Sequence, residues 1–446
     1  MKKFIALLSF LSLICQYAVS QDIDSGLVFD LTVRYRFELW DGYNAKNYGD
    51  DSPDAIGKLN DKLLLQRIIP GVTYSRGKIN AAFHMQDSRA FGWSLNRKNY
   101  PELYRTCDPW SENSFYVMNP QEEYFEIYDL YFEYRELLKN LSVKIGRQKI
   151  FYGDWRIFEM SQWGNTGRYT WDAIKFSYRK NDEYIDIFGG GTKTHDPEKT
   201  YIPFTHLEYL GGGLYAHKNL TPWLDAEPFY ALKTQGTAEY IKTLSINRNW
   251  IGLKLLSPEN QRLSYDLLYV NEFGSEEGNQ IKANGFGLKT SYRFDDLPAT
   301  PELSFAYYYA SGDKPGDDIL QTFDPVYGSK SKFHGYMGLV SWSNLSNPQF
   351  SVRFTAPGKR MFVELKHLLF YIPEPEDCDF LNTMKIKEGS HHLGNETNLY
   401  LRHQHNEHWQ FTGVLGYFNP GDLEQINFKD PENAFWMGLQ VQYNLN

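Results

Sequence analysis

The stretch Leu27–Leu39 reads LVFDLTVRYRFEL, and its pattern decides the fold. Leu27, Phe29, Leu31, Val33, Tyr35, Phe37 and Leu39 share one parity; Asp30, Thr32, Arg34, Arg36 and Glu38 share the other. Successive side chains of a strand point to opposite faces, so a period of two separates an apolar face from a charged one. In a soluble sandwich the apolar face would be core. In a membrane barrel it faces lipid, and the charges point into water. The run is long enough for the roughly 9–11 residues a tilted strand needs to cross a bilayer.

Working outward, the C-terminal stretch repeats the pattern. Leu439, Val441, Tyr443 and Leu445 alternate with Gln440, Gln442, Asn444 and Asn446. A terminal strand of this kind can pair with the first and leave no sheet edge. Further alternating or apolar segments lie near 63–74, 78–86, 123–134, 141–150, 169–179, 184–192, 207–217, 223–234, 247–256, 262–273, 282–294, 301–311, 349–356, 361–371, 396–405 and 409–418. With the two ends they make about 18 strands, an even number as single-chain barrels require.

The connections alternate in length. Ser75-Arg76-Gly77, 135–140, Lys180 to Glu183, 218–222, Ser257 to Gln261, 295–300, Pro357 to Arg360 and Asn406-Glu407-His408 are short, and most carry turn-forming residues. The intervening set includes 40–62, 87–122, 151–168, 312–348, 372–395 and 419–433, all long. Short turns at one end and long loops at the other is the outer-membrane arrangement: periplasmic turns, extracellular loops. A sandwich has no reason to keep that parity.

Bulk composition agrees. A mean hydropathy of −0.53 looks too polar for a membrane protein, but in a barrel only alternate residues meet lipid. Aromatics make up 17% of the chain, a load that suits the two interfacial girdles of such a wall. No segment reaches 18 consecutive apolar residues, so the sequence predicts no membrane-spanning helix. The formal net charge of −9 gives nucleic acid no footing. Lys2 and Lys3 before the apolar run Phe4–Cys15, then Ala18-Val19-Ser20, predict an export signal over residues 1–20, leaving one barrel domain over 21–446. Outside that signal only Cys107 and Cys378 remain, which is no disulfide framework; one bridge or two free thiols both fit. Implied partners are outer-membrane lipid and the barrel assembly machinery.

Residues 141–172, LSVKIGRQKIFYGDWRIFEMSQWGNTGRYTWD, are the most informative segment for function. A strand ends on Gly146-Arg147-Gln148. Tyr152-Gly153 and Arg156 follow, then Trp163, Thr166-Gly167-Arg168 and Trp171-Asp172. This order resembles the alginate export family of outer-membrane porins. A weaker match covers 339–371, with Trp342, Asn344-Leu345, Pro357, Lys359 and His367. The resemblance implies an 18-stranded barrel and passage of an anionic polyuronate through an Arg-rich lumen. Arg suits that task, since its planar fork binds carboxylates at any physiological pH.

Arg147, Arg156 and Arg168 are therefore candidates for a constriction, with Gln148 and Asp172 beside them. Arg34, Arg36, Lys254, Arg293 and Arg353 have lumen parity and extend the track. The opposing expectation is structural: lumenal arginines also pair with acids to hold the wall, and Arg147, Arg168 and Asp172 fit such a network. Asp30, Glu38, Asp225, Glu227, Asp266, Glu272 and Glu364 share lumen parity, so the lumen is mixed in charge. The loop 87–122 is rich in aromatics, Trp93, Tyr100, Tyr104 and Trp110 among them, and is expected to stack sugars or pack on itself.

Catalysis has no support. His195, His391, His392, His403, His405 and His408 read as scattered exposed histidines; His391-His392 and His403/His405 lack Cys or carboxylate partners at zinc-ligand spacing, and no Gly-x-Ser-x-Gly elbow occurs. Gly189-Gly190-Gly191 has no following Lys-Ser/Thr to make a phosphate loop. The sequence thus predicts a channel without cofactor or metal, passing a small hydrophilic solute or an anionic oligo- or polysaccharide. A weakly selective diffusion porin, a barrel hydrolase and a secreted polysaccharide-binding protein are the competing expectations.

Overall fold

The computed structural model describes residues 26–42, 60–94, 121–159, 163–166, 169–193, 199–237, 245–314, 316, 318–328, 332–377, 384–425 and 433–445. Eighteen antiparallel strands close into one barrel. In chain order they are β1 (Leu27–Asp41), β2 (Asp61–Arg76), β3 (Ile79–Phe91), β4 (Glu123–Leu138), β5 (Leu141–Lys149), β6 (Thr170–Lys180), β7 (Glu183–Lys193), β8 (Leu207–Thr221) and β9 (Leu224–Gln235). They continue as β10 (Ile246–Leu256), β11 (Leu263–Glu276), β12 (Asn279–Arg293), β13 (Glu302–Ala310), β14 (Leu345–Thr355), β15 (Met361–Tyr371), β16 (His392–Gln404), β17 (Trp409–Pro420) and β18 (Ala434–Asn444). Each pairs with its neighbours in sequence, and β1 meets β18 with Thr32 opposite Asn444 and Trp40 opposite Trp436. Closure leaves the wall no open sheet edge, the condition for spanning hydrocarbon.

The two faces separate as the alternation demands. On β1, Tyr35 and Phe37 are each 37% exposed and face outward, while Arg34 and Arg36 are 1% and 3% exposed and face the lumen. Ile145, Ile174 and Ile187 continue the outer apolar band on β5, β6 and β7. One connection at the long-loop end breaks the length rule. β11 and β12 join through Glu277-Gly278, both with positive φ (50° and 88°), the twist-matched geometry of a two-residue hairpin.

The lumen differs from the uniformly polar interior expected of a simple channel. Its long-loop half carries two apolar clusters beside the ion pairs Lys233–Asp324 and Arg248–Glu272. The described residues of two inward connections, 150–159 with 163–166 in one and 311–314, 316, 318–328 and 332–344 in the other, pack there against the wall. Phe158, Phe323, Tyr327 and Trp342 are fully buried among Trp171, Phe188 and Trp250. A second cluster sets Met337, Leu339 and Val340 against Leu63, Leu368 and Trp436. Burying each such side chain is worth about 1.5–3 kcal/mol, which holds both segments inside the barrel. The two segments also pair directly: Tyr327 donates its N–H to the Ile157 carbonyl (3.2 Å), and Glu159 donates to that of Tyr327 (3.1 Å). The wall makes room for them. A Cβ on Gly211 of β8 would sit 2.2 Å from the Tyr327 hydroxyl, so glycine is needed there. That is a structural use for a glycine-rich pair of strands. Of the aromatic loop 87–122, Trp93 is buried in the second cluster; 95–120, with Tyr100, Tyr104 and Trp110, lie outside the described residues, as do Cys107, His195 and Cys378.

Candidate functional site in the barrel lumen

The inward segment 150–166 is clamped by arginines of the wall. Arg34 donates to the carbonyls of Gly164 (2.7 Å) and Trp163 (3.4 Å) and to Asn165 Oδ1 (3.1 Å). Arg36 donates to the Trp163 carbonyl (2.6 Å), pairs with Glu38 (2.6 Å), and lies over the Trp163 ring (4.6 Å). Arg67 of β2 adds a bond to Gly164 (3.2 Å). Asn165 answers from the loop, donating to the Gln66, Arg89 and Gln121 carbonyls. Arg34 and Arg36 therefore have the lumen parity the sequence predicts, but they serve as anchors that hold a loop across the pore.

That loop delivers Arg156 to a cavity of about 270 Å³ on the inner wall. Lys289 (β12), Arg353 (β14) and Lys366 (β15) line the same space, with Asp154, Asp266 and Glu364. Arg156 stacks over Tyr308 (3.7 Å) and Phe333 (4.8 Å) and touches Asp154 at 3.3 Å; its Nε and Nη1 meet no acceptor among the described residues. The acids are largely taken. Asp266 pairs with Lys254 of β10 (2.9 Å), and Glu364 with Arg353 (3.3 Å). Neither Lys289 nor Lys366 has a carboxylate within 4.0 Å among the described residues. The cavity thus carries cationic excess, with Arg156 on a ring stack, an arrangement chemically suited to an anion. Beneath it, His334 is fully buried, and burial together with Arg156 pushes its pKa down to about 3. It stays neutral and donates from Nδ1 to Asn347 Oδ1 (2.9 Å).

Arg147 lies elsewhere. Its register partner is Asp172, two places beyond the Ile145–Ile174 pair, and both of those isoleucines are exposed on the outer face. Arg147 and Asp172 share that face near the long-loop end, yet both are fully buried. Arg147 makes a fork to Asp172 (2.7 and 2.9 Å) and a bond to Glu126 (2.5 Å). Residues 199–206 cover them: the Tyr201 carbonyl accepts from Arg147 (3.1 Å), and the Phe204 N–H donates to Asp172 (2.9 Å). Lys193 pairs with Glu123 in the same cluster. Gln148 is also buried and spends its amide on the Ala173 carbonyl (2.9 Å). Gly146 of this motif has φ 119°, and a Cβ there would lie 2.2 Å from the Leu130 carbonyl oxygen.

Of the remaining sequence candidates, Lys254 faces the lumen beside Asp154 (3.9 Å), and Arg293 sits at the short-turn end on Asp295 (2.5 Å). Arg168 lies outside the described residues. The structure thus gathers Arg156 and Arg353 around one cavity, puts Lys254 next to it, and separates Arg147, Gln148 and Asp172 from it. Sequence reasoning missed Lys289 and Lys366. Their parity was available: Lys289 shares a face with Arg293, and Lys366 with Glu364. Tyr308 of β13 was readable by the same parity, shared with Ala306 and Ala310, whereas Phe333 and His334 carried no such signal, because they lie in the connection between β13 and β14.

The family model described as alginate export matches residues 26–427. The chain belongs to the alginate export family. No curated protein matches the sequence. Solved structures with the same barrel include OccAB2 of Acinetobacter baumannii (TM-score 0.60, 11% identity, 95% of this chain and 99% of that one). OpdO of Pseudomonas aeruginosa is similar too (TM-score 0.58, 12% identity, 94% and 97%), as is OccAB3 of A. baumannii (TM-score 0.58, 11% identity, 94% and 99%). At such identities the likeness is one of fold. With family membership and the closed barrel, it makes this member an outer-membrane porin channel.

Proposed function

We propose that this alginate export family member passes a small anionic, hydroxyl-rich solute, of the uronate or oligo-uronate class, down its gradient across the outer membrane of a Gram-negative bacterium. The short turns face the periplasm, the long loops face outside, and residues 1–20 are removed on export. Its work is passage rather than turnover. The observation that carries the solute class is the cavity at Arg156, where Lys289 and Lys366 have no ion-pair partner among the described residues. Cations without protein partners in a lumen narrowed by two inward segments meet each passing anion closely, and a low effective dielectric strengthens that contact. A weakly selective porin is the second reading, favoured by the acids Asp154, Asp266 and Glu364 in the same lining.

Single-channel recording separates the two. The refolded chain in a planar bilayer, under a salt gradient and then with alginate oligomers added, is expected to prefer anions and to be blocked by the oligomers. Conductance without preference or block would leave the general porin. An absence of conductance would refute the channel itself.

A further inference from the structure

A second and larger cavity, of about 630 Å³, lies at the short-turn end of the lumen and shares Tyr336 with the cationic one. Its chemistry is different. Tyr336 stacks on Tyr400 of β16 (5.3 Å, 17°), and Trp163 meets Tyr336 edge-on (5.7 Å, 63°). Tyr336 links the other two rings; Tyr400 also stacks on Phe362 (5.4 Å, 23°) and Arg36 lies over Trp163 (4.6 Å), and all three rings remain partly exposed. Beside them the wall of β17 and β18 is uncharged: Gln410 stands opposite Gln442 in the register, and Thr412 opposite Gln440. Gln410 donates to Gln404 (2.9 Å) and Gln442 to Asn444 (3.1 Å), but Gln440 Oε1 meets no donor among the described residues.

Most charges of this cavity are engaged within the protein; Arg402, exposed in the lining and 5.6 Å from the Phe362 ring, is in no ion pair among the described residues. Asp30 is held by Thr73 (2.6 Å) and His84 (3.1 Å), Asp129 by Lys149 (3.3 Å), and Arg67 by the Gly164 carbonyl. Apart from Arg402, what stays on offer is an aromatic ridge next to amides. An amide supplies one acceptor and two donors, which matches a hydroxyl that both gives and takes a proton. An aromatic surface takes an apolar ring face without regard to charge.

We propose that this vestibule is a pyranose-ring subsite, which recognises the ring and hydroxyls of a saccharide through Tyr336, Tyr400, Trp163 and the Gln410–Gln442 and Gln440 amides, independently of any carboxylate. It rests on the channel reading above but adds a neutral-sugar specificity to it. The cationic cavity reads charge, and the adjoining vestibule reads the ring. A uronate oligomer spans both chemistries, and a neutral oligosaccharide engages the second alone.

The test is calorimetric titration of the refolded full chain in detergent with the β-1,4-linked glucose trisaccharide, alongside the mannuronate trisaccharide. Binding of the neutral sugar is expected to be unchanged between about 0.1 and about 1 M salt, where exposed charge contacts are screened away, while uronate binding weakens. Tyr400→Ala is expected to weaken neutral-sugar binding about tenfold, the scale of one lost aromatic contact. Gln440→Leu, similar in size without the amide, weakens it as well, and Tyr400→Phe preserves it. Heat-shifted gel mobility shows that each variant is a folded barrel. Neutral-sugar binding that is absent, or indifferent to both Tyr400→Ala and Gln440→Leu in folded protein, overturns the subsite. If the same preparations still conduct with anion preference, only this inference fails. If they do not conduct, the channel reading fails with it.

Discussion

Replacing Arg147 by Ala separates a structural arginine from a selective one. The side chain supplies both bonds of a fork to Asp172, one bond to Glu126, and one each to the Ile127 and Tyr201 carbonyls. All three charged groups are at most 1% exposed. Removing the cation leaves two buried carboxylates, a loss that costs about 3–5 kcal/mol when one partner of a buried pair is deleted. Compensation is partial. Asp172 keeps the Phe204 N–H, and Lys193 stays 4.0 Å from Glu126, so the lower end, about 3 kcal/mol, is expected. Arg147→Lys restores a charge but not the fork, and recovers only part. Urea unfolding of the barrel in lipid vesicles, followed by tryptophan fluorescence, reads the loss. The reversal potential of the surviving channels is expected to match the parent. Unchanged stability together with lost anion preference would refute the outward placement and return Arg147 to the pore.

The double substitution Arg34→Ala with Arg36→Ala removes four hydrogen bonds to residues 163–165, so it is expected to loosen the loop and raise single-channel conductance; a smaller or equal conductance would deny the anchoring role. Gly146→Ala places a Cβ 2.2 Å from the Leu130 carbonyl at positive φ, and about 1–3 kcal/mol of destabilisation is expected in the same urea assay. His334 binds fewer protons folded than unfolded between about pH 3 and its ordinary 6.5, so its contribution is full above that window, is lost as pH falls through it, and changes no further below about pH 3. His334→Gln is expected to flatten that part of the pH dependence, measured by unfolding at pH 4, 5 and 7.

All eighteen strands were legible because period two survives wherever the outer face meets lipid and the inner face meets water. The boundaries slipped where that contrast fails. β18 begins at Ala434 rather than near 439, since Ala434, Phe435, Trp436 and Met437 are apolar on both faces. β14 begins at Leu345 rather than 349 for a different reason: Ser346, Asn347 and Pro348 interrupt the apolar alternation, although Leu345 packs inward on the second cluster. Inward packing of 150–166 and 311–344 is a tertiary choice with no periodic signature. Arg147 was readable in principle. Leu141, Val143 and Ile145 share its parity, so the alternation of β5 already carried it to the outer face. The motif around it pointed to function, and parity was the better guide to place. Lys289 and Lys366 needed only the same counting, whereas Arg156 gains its meaning from a loop whose path no local pattern gives.

The central claim is that cations around Arg156 set the selectivity of this channel. The most direct measurement is the zero-current reversal potential across a salt gradient for the parent chain and for the Arg156→Gln, Lys289→Gln, Lys366→Gln triple variant, with barrel folding checked by gel mobility. The account predicts an anion-preferring potential in the parent that moves toward, or past, zero in the variant. A potential that is the same in both proteins would contradict it.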